Sequence, residues 1–216
     1  MKAIILNSGI GKRMGVLTED KPKCLIEINN KETILSRQLK FLMSNRIMDI
    51  IITTGHFAEK IKDYIKINFP TLKVIYVYNP YYNSTNYIYS LFLTKYFIDD
   101  DILLMHGDMV FDKIAFQKLF DFEHPNAVLV NNIIEPPEKD FKCRVNDGFI
   151  KEIGVNVFGE ECFFLAPIYK ISKESFLLWL EEIEKFVKKG EVHVYAENAF
   201  NVISSKMNLK PVYFSN

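Results

Sequence analysis

The sequence predicts an α/β fold in three layers: a mixed, mainly parallel sheet flanked by helices, with a β-hairpin insertion. Three observations carry this. Short unbroken apolar runs, at 3–6, 49–54 and 102–106 among others, alternate with longer stretches whose apolar residues recur at helical spacing. Strands covered on both faces read this way, because neither face tolerates polar side chains. A turn containing Gly9, Gly11 and Gly15 follows the first run directly. Beyond about residue 126 the alternation gives way to strand-like runs, two of them flanking Asn146-Asp147-Gly148, a strong hairpin signal.

Taken in order, residues 3–6 read as a buried strand and 24–28 as a short extended piece after Pro22. Ile34, Leu35, Leu39, Leu42 and Met43 form an apolar stripe that predicts a helix over 33–45. A second strand over 49–54 ends at Gly55. The helix expected over 58–68, with Ile61, Ile65 and Phe69 on one face, is stopped by Pro70. A third strand covers 73–78, a helix 86–97, and a fourth strand over 102–106 ends at Gly107-Asp108. Then come a strand over 127–134, the hairpin of 141–145 and 149–153, and a strand over 162–171. An amphipathic helix over 173–189 turns Phe176, Leu177, Leu180, Ile183 and Val187 inward, and Trp179 on its apolar side is expected in the core. Nothing repeats and no linker interrupts, so one domain over 1–216 is expected, with the part from about 126 added to the sheet of the part before it.

Twenty-seven basic residues balance 27 acidic ones. Nucleic-acid-binding proteins usually carry a basic excess, so no nucleic-acid partner is expected and any cationic site must be local. Cys24, Cys143 and Cys162 are odd in number and show no CxxC spacing, which reads as reduced thiols. No run approaches the roughly 20 apolar residues of a membrane span. The apolar run at 3–6 is too short for a leader and no cleavage site follows it. The expectation is a cytoplasmic protein with no membrane contact.

The stretch Asn7-Ser8-Gly9-Ile10-Gly11-Lys12-Arg13-Met14-Gly15 carries the chemistry. Glycines let the backbone turn tightly and aim successive amides at one anion. The carboxyl end of a central strand is also where open α/β sheets bind phosphates. On the glycines alone a packing turn is an equal reading. The loop is not a P-loop, and it departs from a dinucleotide fingerprint at Met14 and at Thr53-Thr54-Gly55, where no acidic residue stands to hold a ribose. Lys12, Arg13, Lys21 and Lys23 place four cations within twelve residues, which suits a triphosphate. Asp108 ends the strand over 102–106 and faces the same crevice. Magnesium takes one or two carboxylates together with phosphate oxygens and water, so Asp108 is the expected ligand and Mg²⁺ the expected cofactor. A turn aspartate capping the next helix is the other reading. His106 is expected to pack or hydrogen-bond, and Asp99-Asp100-Asp101 to form a solvated turn.

Gly9-x-Gly11-x-Arg13-Met14, followed by Leu17-Thr18-x-x-x-Pro22-Lys23-x-Leu25, resembles the signature of the sugar-nucleotide pyrophosphorylase superfamily of nucleotidyltransferases. Asn79-Pro80-Tyr81-Tyr82, with Asn86 and Ser90-Leu91, resembles a segment of its phosphocholine cytidylyltransferase-like branch. The resemblance spans essentially the whole chain and is strongest over 1–25 and 79–108. It implies a Rossmann-like, GT-A-like nucleotidyltransferase fold, with nucleotide bound by about 1–125 and acceptor by about 126–216. The reaction implied moves CMP from CTP to a small phosphorylated acceptor and releases pyrophosphate. Arg13, Lys23 and Asp108 would be catalytic: Arg13 on the β- and γ-phosphates, Lys23 on the α-phosphate and the acceptor phosphate, Asp108 on Mg²⁺. Nucleotide contacts would come from Asn7, Ser8, Gly9, Gly11, Lys12, Arg13, Gly55, Thr85, Asn86 and Ser90. Acceptor contacts would come from Lys23, Asn86, Tyr195 and Glu197, the last pairing with an ammonium group or else standing exposed at a helix end.

Two departures stand out, and the second bears on the acceptor. The family more often has two alanines at Asn7-Ser8, and choline-type members tend to show a Trp-Asp pair that is missing here. The resemblance points to L-glutamine phosphate, giving CDP-L-glutamine for capsular polysaccharide. Phosphocholine, 2-aminoethylphosphonate and sugar 1-phosphates stay open, as does assembly as a homodimer. Relatives continue past a strand like 209–213 into a Glu-Ile-Asp segment with a second metal ligand, whereas this sequence runs to Asn216. Either the sequence is shortened before that point or the protein lacks the second ligand, and on the latter a non-catalytic nucleotide-binding relative is a second reading. A glycosyltransferase is a third, although such enzymes usually show Asp-x-Asp where His106-Gly107-Asp108 offers one carboxylate.

Overall fold

Strand β1 (Lys2–Asn7) occupies the middle of the sheet in the computed structural model, which describes residues 1–29 and 32–215, with Lys12 and Arg13 described by their backbone. Two 3₁₀ turns, Lys12–Thr18 and Lys23–Leu25, lead into a small ribbon of β2 (Glu27–Asn29) and β3 (Glu32–Thr33). There follow α1 (Ile34–Ser44), β4 (Asp49–Thr54), α2 (Ala58–Asn68), β5 (Lys73–Tyr78), α3 (Tyr87–Phe92), β6 (Ile102–His106) and α4 (Lys113–Phe120). The rest of the chain forms β7 (Ala127–Asn131), β8 (Lys142–Asn146), β9 (Phe149–Gly154), β10 (Cys162–Ile171), α5 (Lys173–Lys188), α6 (Ala196–Met207) and β11 (Lys210–Tyr213).

Among the described residues the main sheet runs in the order β11-β7-β10-β6-β1-β4-β5, with the β8–β9 hairpin paired onto β10. Along that path only β10 runs against the others, since it is antiparallel to both neighbours while the remaining pairs are parallel. The mainly parallel sheet with a hairpin insertion is thus the one expected. Alternate side chains of each strand feed two separate cores. Ala3, Ile5, Leu103 and Met105 pack with α1, α2 and α4 residues such as Leu39, Ile61 and Phe116. Ile4, Leu104, Val128 and Val130 pack with Ile88, Trp179 and Phe200 from α3, α5 and α6. Both faces of the central strands are dry, which is why they read as unbroken apolar runs.

Several boundaries moved for local reasons. The piece expected to be extended at 24–28 begins as a 3₁₀ turn, with Leu25 N–H on the Pro22 carbonyl and Ile26 N–H on that of Lys23. The helix expected over 86–97 stops at Phe92, because buried Thr94 turns its hydroxyl back to the Leu91 carbonyl at 2.7 Å and the chain tightens into a 3₁₀ turn. The strand expected over 127–134 ends at Asn131, whose side-chain oxygen accepts from Ile133 and Ile134 N–H in an Asx turn. Helices α4 and α6 were given no extent from the sequence, although Ala196, Ala199, Phe200, Ile203 and Met207 are buried at helical spacing. Trp179 is fully buried and donates its indole N–H to the Ala196 carbonyl at 2.9 Å. Cys24 and Cys143 are buried and Cys162 half-buried, all three as free thiols. Among the described residues no helix is long and apolar enough to cross a membrane.

Candidate active site

The register of the parallel strands assembles the site. Leu6 of β1 pairs with His106 of β6, and Asn7 pairs with Thr54 of β4, so three strands end at one level. The glycine turn leaves β1 there, between Gly55 and Gly107. A Cβ on Gly107 would run into the Asn7 side chain and lie 2.7 Å from the Leu6 carbonyl. One on Gly55 would run into the Ser8 carbonyl and the Tyr82 ring. Both neighbours must lack side chains for the turn to pass between them. Gly55 thus packs beneath Ser8 and is not among the residues that line the cavity.

Above this level lies a cavity of about 810 Å³. Of the residues expected to bind substrates, Asn7, Ser8, Gly9, Gly11, Lys23, Thr85, Asn86, Asp108 and Tyr195 line it. The two halves of the amino-terminal signature meet there. Thr18 donates its hydroxyl to the Gly11 carbonyl at 3.0 Å, and the Lys23 stem packs beside Gly11. The side chains of Lys12 and Arg13 lie outside the described residues.

Lys23 Nζ and Asp108 Oδ2 stand 3.1 Å apart. Partial burial pushes the Asp108 carboxyl up, but the Lys23 ammonium outweighs this and holds it below the usual carboxylate range. Burial pushes the His106 imidazole down, so the neutral ring is favoured. Its Nε2, like the Asn7 side-chain amide nitrogen, is buried without a partner among the described residues. Cys24, next to Lys23, is 1% exposed, and burial pushes its thiol far above the usual range, so it packs rather than reacts.

Two expected contacts sit behind the wall. Ser90 is fully buried, with its hydroxyl 2.6 Å from that of Ser8 and accepting from the Asn79 amide at 2.9 Å. It supports the turn from beneath rather than meeting a ligand. Glu197 is 1% exposed and accepts hydrogen bonds from Tyr87 and Tyr169 hydroxyls, the latter at 2.8 Å. It is neither an exposed helix-end residue nor part of the cavity lining. Burial first, and the Glu197 charge second, push both phenols well up, so they remain donors. Glu197→Leu leaves two buried hydroxyls without an acceptor and is expected to cost about 2–3 kcal/mol, read by urea unfolding. Asn86 lines the cavity but caps the six-residue α3, accepting from Tyr87 N–H at 2.8 Å and donating to the His193 carbonyl at 3.2 Å.

The cavity also includes Tyr82 of the Asn79-Pro80-Tyr81-Tyr82 segment, and residues that the sequence did not single out: Tyr87, Lys139, Asp140, Phe141 and His193. The rings of four lining residues form a circuit, with centroids of Tyr87 and His106 4.7 Å apart, His106 and Phe141 6.1 Å, Phe141 and Tyr195 5.0 Å, and Tyr195 and Tyr87 5.9 Å; the first three pairs meet edge to face. Phe141 joins them because β8 pairs with β10, a contact that no local pattern announces.

Known proteins share this architecture. The CTP:phosphocholine cytidylyltransferase structure from Streptococcus pneumoniae superposes with a TM-score of 0.82 at 22% identity, covering 100% of this chain and 90% of that one. In sequence, the CTP:phosphoglutamine cytidylyltransferase of Campylobacter jejuni is 28% identical over 215 residues, 92% of this chain and 82% of that protein. The CMP-5'-(3-aminopropyl)phosphonate synthase of Streptomyces rubellomurinus is 27% identical over 136 residues, 63% of this chain, and the match spans only 22% of that longer protein. The nucleotidyl transferase family matches residues 2–141, the stretch that holds the glycine turn, Lys23 and Asp108. With most of its length covered by that match, the chain belongs to the nucleotidyl transferase family.

Proposed function

We propose that the chain is a cytidylyltransferase that moves CMP from CTP onto L-glutamine phosphate, giving CDP-L-glutamine and pyrophosphate on the way to capsular polysaccharide. The observation that carries the reading is the Lys23–Asp108 pair, which shares one cavity with the bare backbone of the glycine turn. The choice of nucleotide and acceptor is supported by the Campylobacter jejuni relative, which matches over 92% of this chain.

An acceptor phosphate oxygen attacks the α-phosphorus in line; its bond forms as the bond to the β-phosphate's bridging oxygen breaks and pyrophosphate leaves. Such a reaction needs positioning and charge neutralisation rather than a covalent intermediate. The turn around Ser8, Gly9 and Gly11 cradles the nucleotide. Lys23 exchanges its carboxylate partner for the α-phosphate and the acceptor phosphate, holding attacker and target together. Arg13, by its place in the signature, takes the charge of the departing pyrophosphate. Asp108 fits magnesium, because a half-exposed carboxylate in the cavity suits an ion that completes its shell with phosphate oxygens and water. When bound, Mg²⁺ supplies charge neutralisation across the phosphate oxygens.

The test is pyrophosphate release from CTP, UTP, dTTP and ATP against L-glutamine phosphate, phosphocholine, 2-aminoethylphosphonate and glucose 1-phosphate. CTP with L-glutamine phosphate is expected to give the highest kcat/KM. A preference for UTP or dTTP with the sugar phosphate overturns the assignment. CTP binding in calorimetry, with no turnover of any acceptor, would instead favour a nucleotide-binding protein without catalysis.

A further inference from the structure

Lys142 lies in β8 and is only 3% exposed, yet it has no carboxylate partner among the described residues. Its ammonium donates instead to three backbone carbonyls, those of Glu138 at 2.9 Å, Asp140 at 3.2 Å and Val155 at 2.8 Å. The three carbonyls come from two segments that do not pair with each other as strands. The first precedes β8 and supplies Lys139, Asp140 and Phe141 to the cavity; the second follows β9 and supplies Val155. The first is already folded back on itself, with Asp140 N–H on the Pro137 carbonyl at 3.2 Å. The second is held further on by Arg144, which donates to the Phe158 carbonyl at 3.1 Å.

Burying an ammonium is costly, and an apolar side chain of similar length in its place is often neutral or stabilising. Stability alone therefore gives little reason for a lysine here. What the charge does is gather three carbonyl dipoles at one point, fixing the backbone on both sides of Lys139 and setting Val155 against it. The β8–β9 ladder already sets Lys142 opposite Gly154, and an apolar side chain would keep that pairing but leave the three carbonyls beyond it without a common donor.

We propose that Lys142 is a positioning residue for the acceptor: its buried ammonium ties two loops into one wall, and that wall sets acceptor affinity without touching the nucleotide. The proposal rests on the transferase reading above. It predicts a split that a purely structural lysine would not produce. In Lys142→Met the KM for L-glutamine phosphate rises about tenfold or more, while kcat at saturation and CTP affinity stay within about threefold. Lys142→Arg retains a cation and falls between.

The experiment compares wild type, Lys142→Met and Lys142→Arg in the full chain by steady-state kinetics, CTP calorimetry and amide hydrogen exchange. Faster exchange across 138–141 and at 155–157, with the strands over 3–6 and 102–106 unchanged, is the expected signature of a released wall. Unchanged exchange in both segments of Lys142→Met overturns the proposal whatever the activity. So does a parallel rise in both substrate KM values, which is the mark of general loosening. Should Lys142→Met fail to fold, Lys142→Arg is read in its place, and an acceptor KM equal to wild type together with unaltered exchange overturns the proposal. Failure of the wild type to turn over any acceptor removes the transferase reading, while hydrogen exchange still decides whether Lys142 ties the two loops.

Discussion

Lys23→Ala is expected to leave the fold intact and to lower kcat by about 10²–10³-fold, the loss typical of removing one preorganised charge from a polar transition state. The fold should survive because packing in this turn is done by Cys24, which is 1% exposed, and by the Pro22 and Lys23 carbonyls that accept the 3₁₀ hydrogen bonds. Lys23 contributes a partly exposed ion pair to Asp108, worth no more than about 1 kcal/mol to stability. The functional loss should be far larger, because in the proposed reaction the ammonium would serve both reacting phosphates as they approach. The measurement is single-turnover pyrophosphate release set beside a thermal melt. A variant with near-normal turnover and an unchanged melt would remove Lys23 from the mechanism.

Asp108→Asn is expected to lower kcat by at least about 10³-fold and to flatten the dependence of rate on Mg²⁺ concentration. The substitution keeps shape and removes charge, and the side chain is too exposed for its loss to unfold the chain. The double variant Lys23→Ala with Asp108→Asn should lose much less than the product of the two single effects, since in the proposed reaction both groups would act in one transition state, and they pair with each other in its absence. Rates that respond to magnesium as the wild type does would mean that Asp108 does not hold the ion.

Legibility followed the range of the interactions. Residues 49–54, 58–68, 73–78, 102–106 and 162–171 form the elements expected, with the expected ends, because burial on one or both faces stamps a local period on them. Boundaries failed where one side chain overrode the period, as Thr94 does in cutting α3 short and Asn131 in ending β7. Glu197 stands at a helix end, in the first turn of α6, but turns into the core rather than toward solvent.

For the site, sequence alone determined the glycine turn after β1, its neighbouring lysine and the carboxylate at the end of β6. Each is marked by residue types that a local backbone geometry demands. Only the tertiary structure decided that Ser90 and Gly55 support the turn from behind, that Glu197 anchors two tyrosines, and that Lys139, Asp140 and Phe141 line the cavity. Those assignments depend on the register of β1 against β4 and β6 and on the pairing of β8 with β10. Such pairings join residues far apart in the chain. Because both faces of the central strands are buried, their unbroken apolar runs do not by themselves fix which residues of neighbouring strands stand at one level.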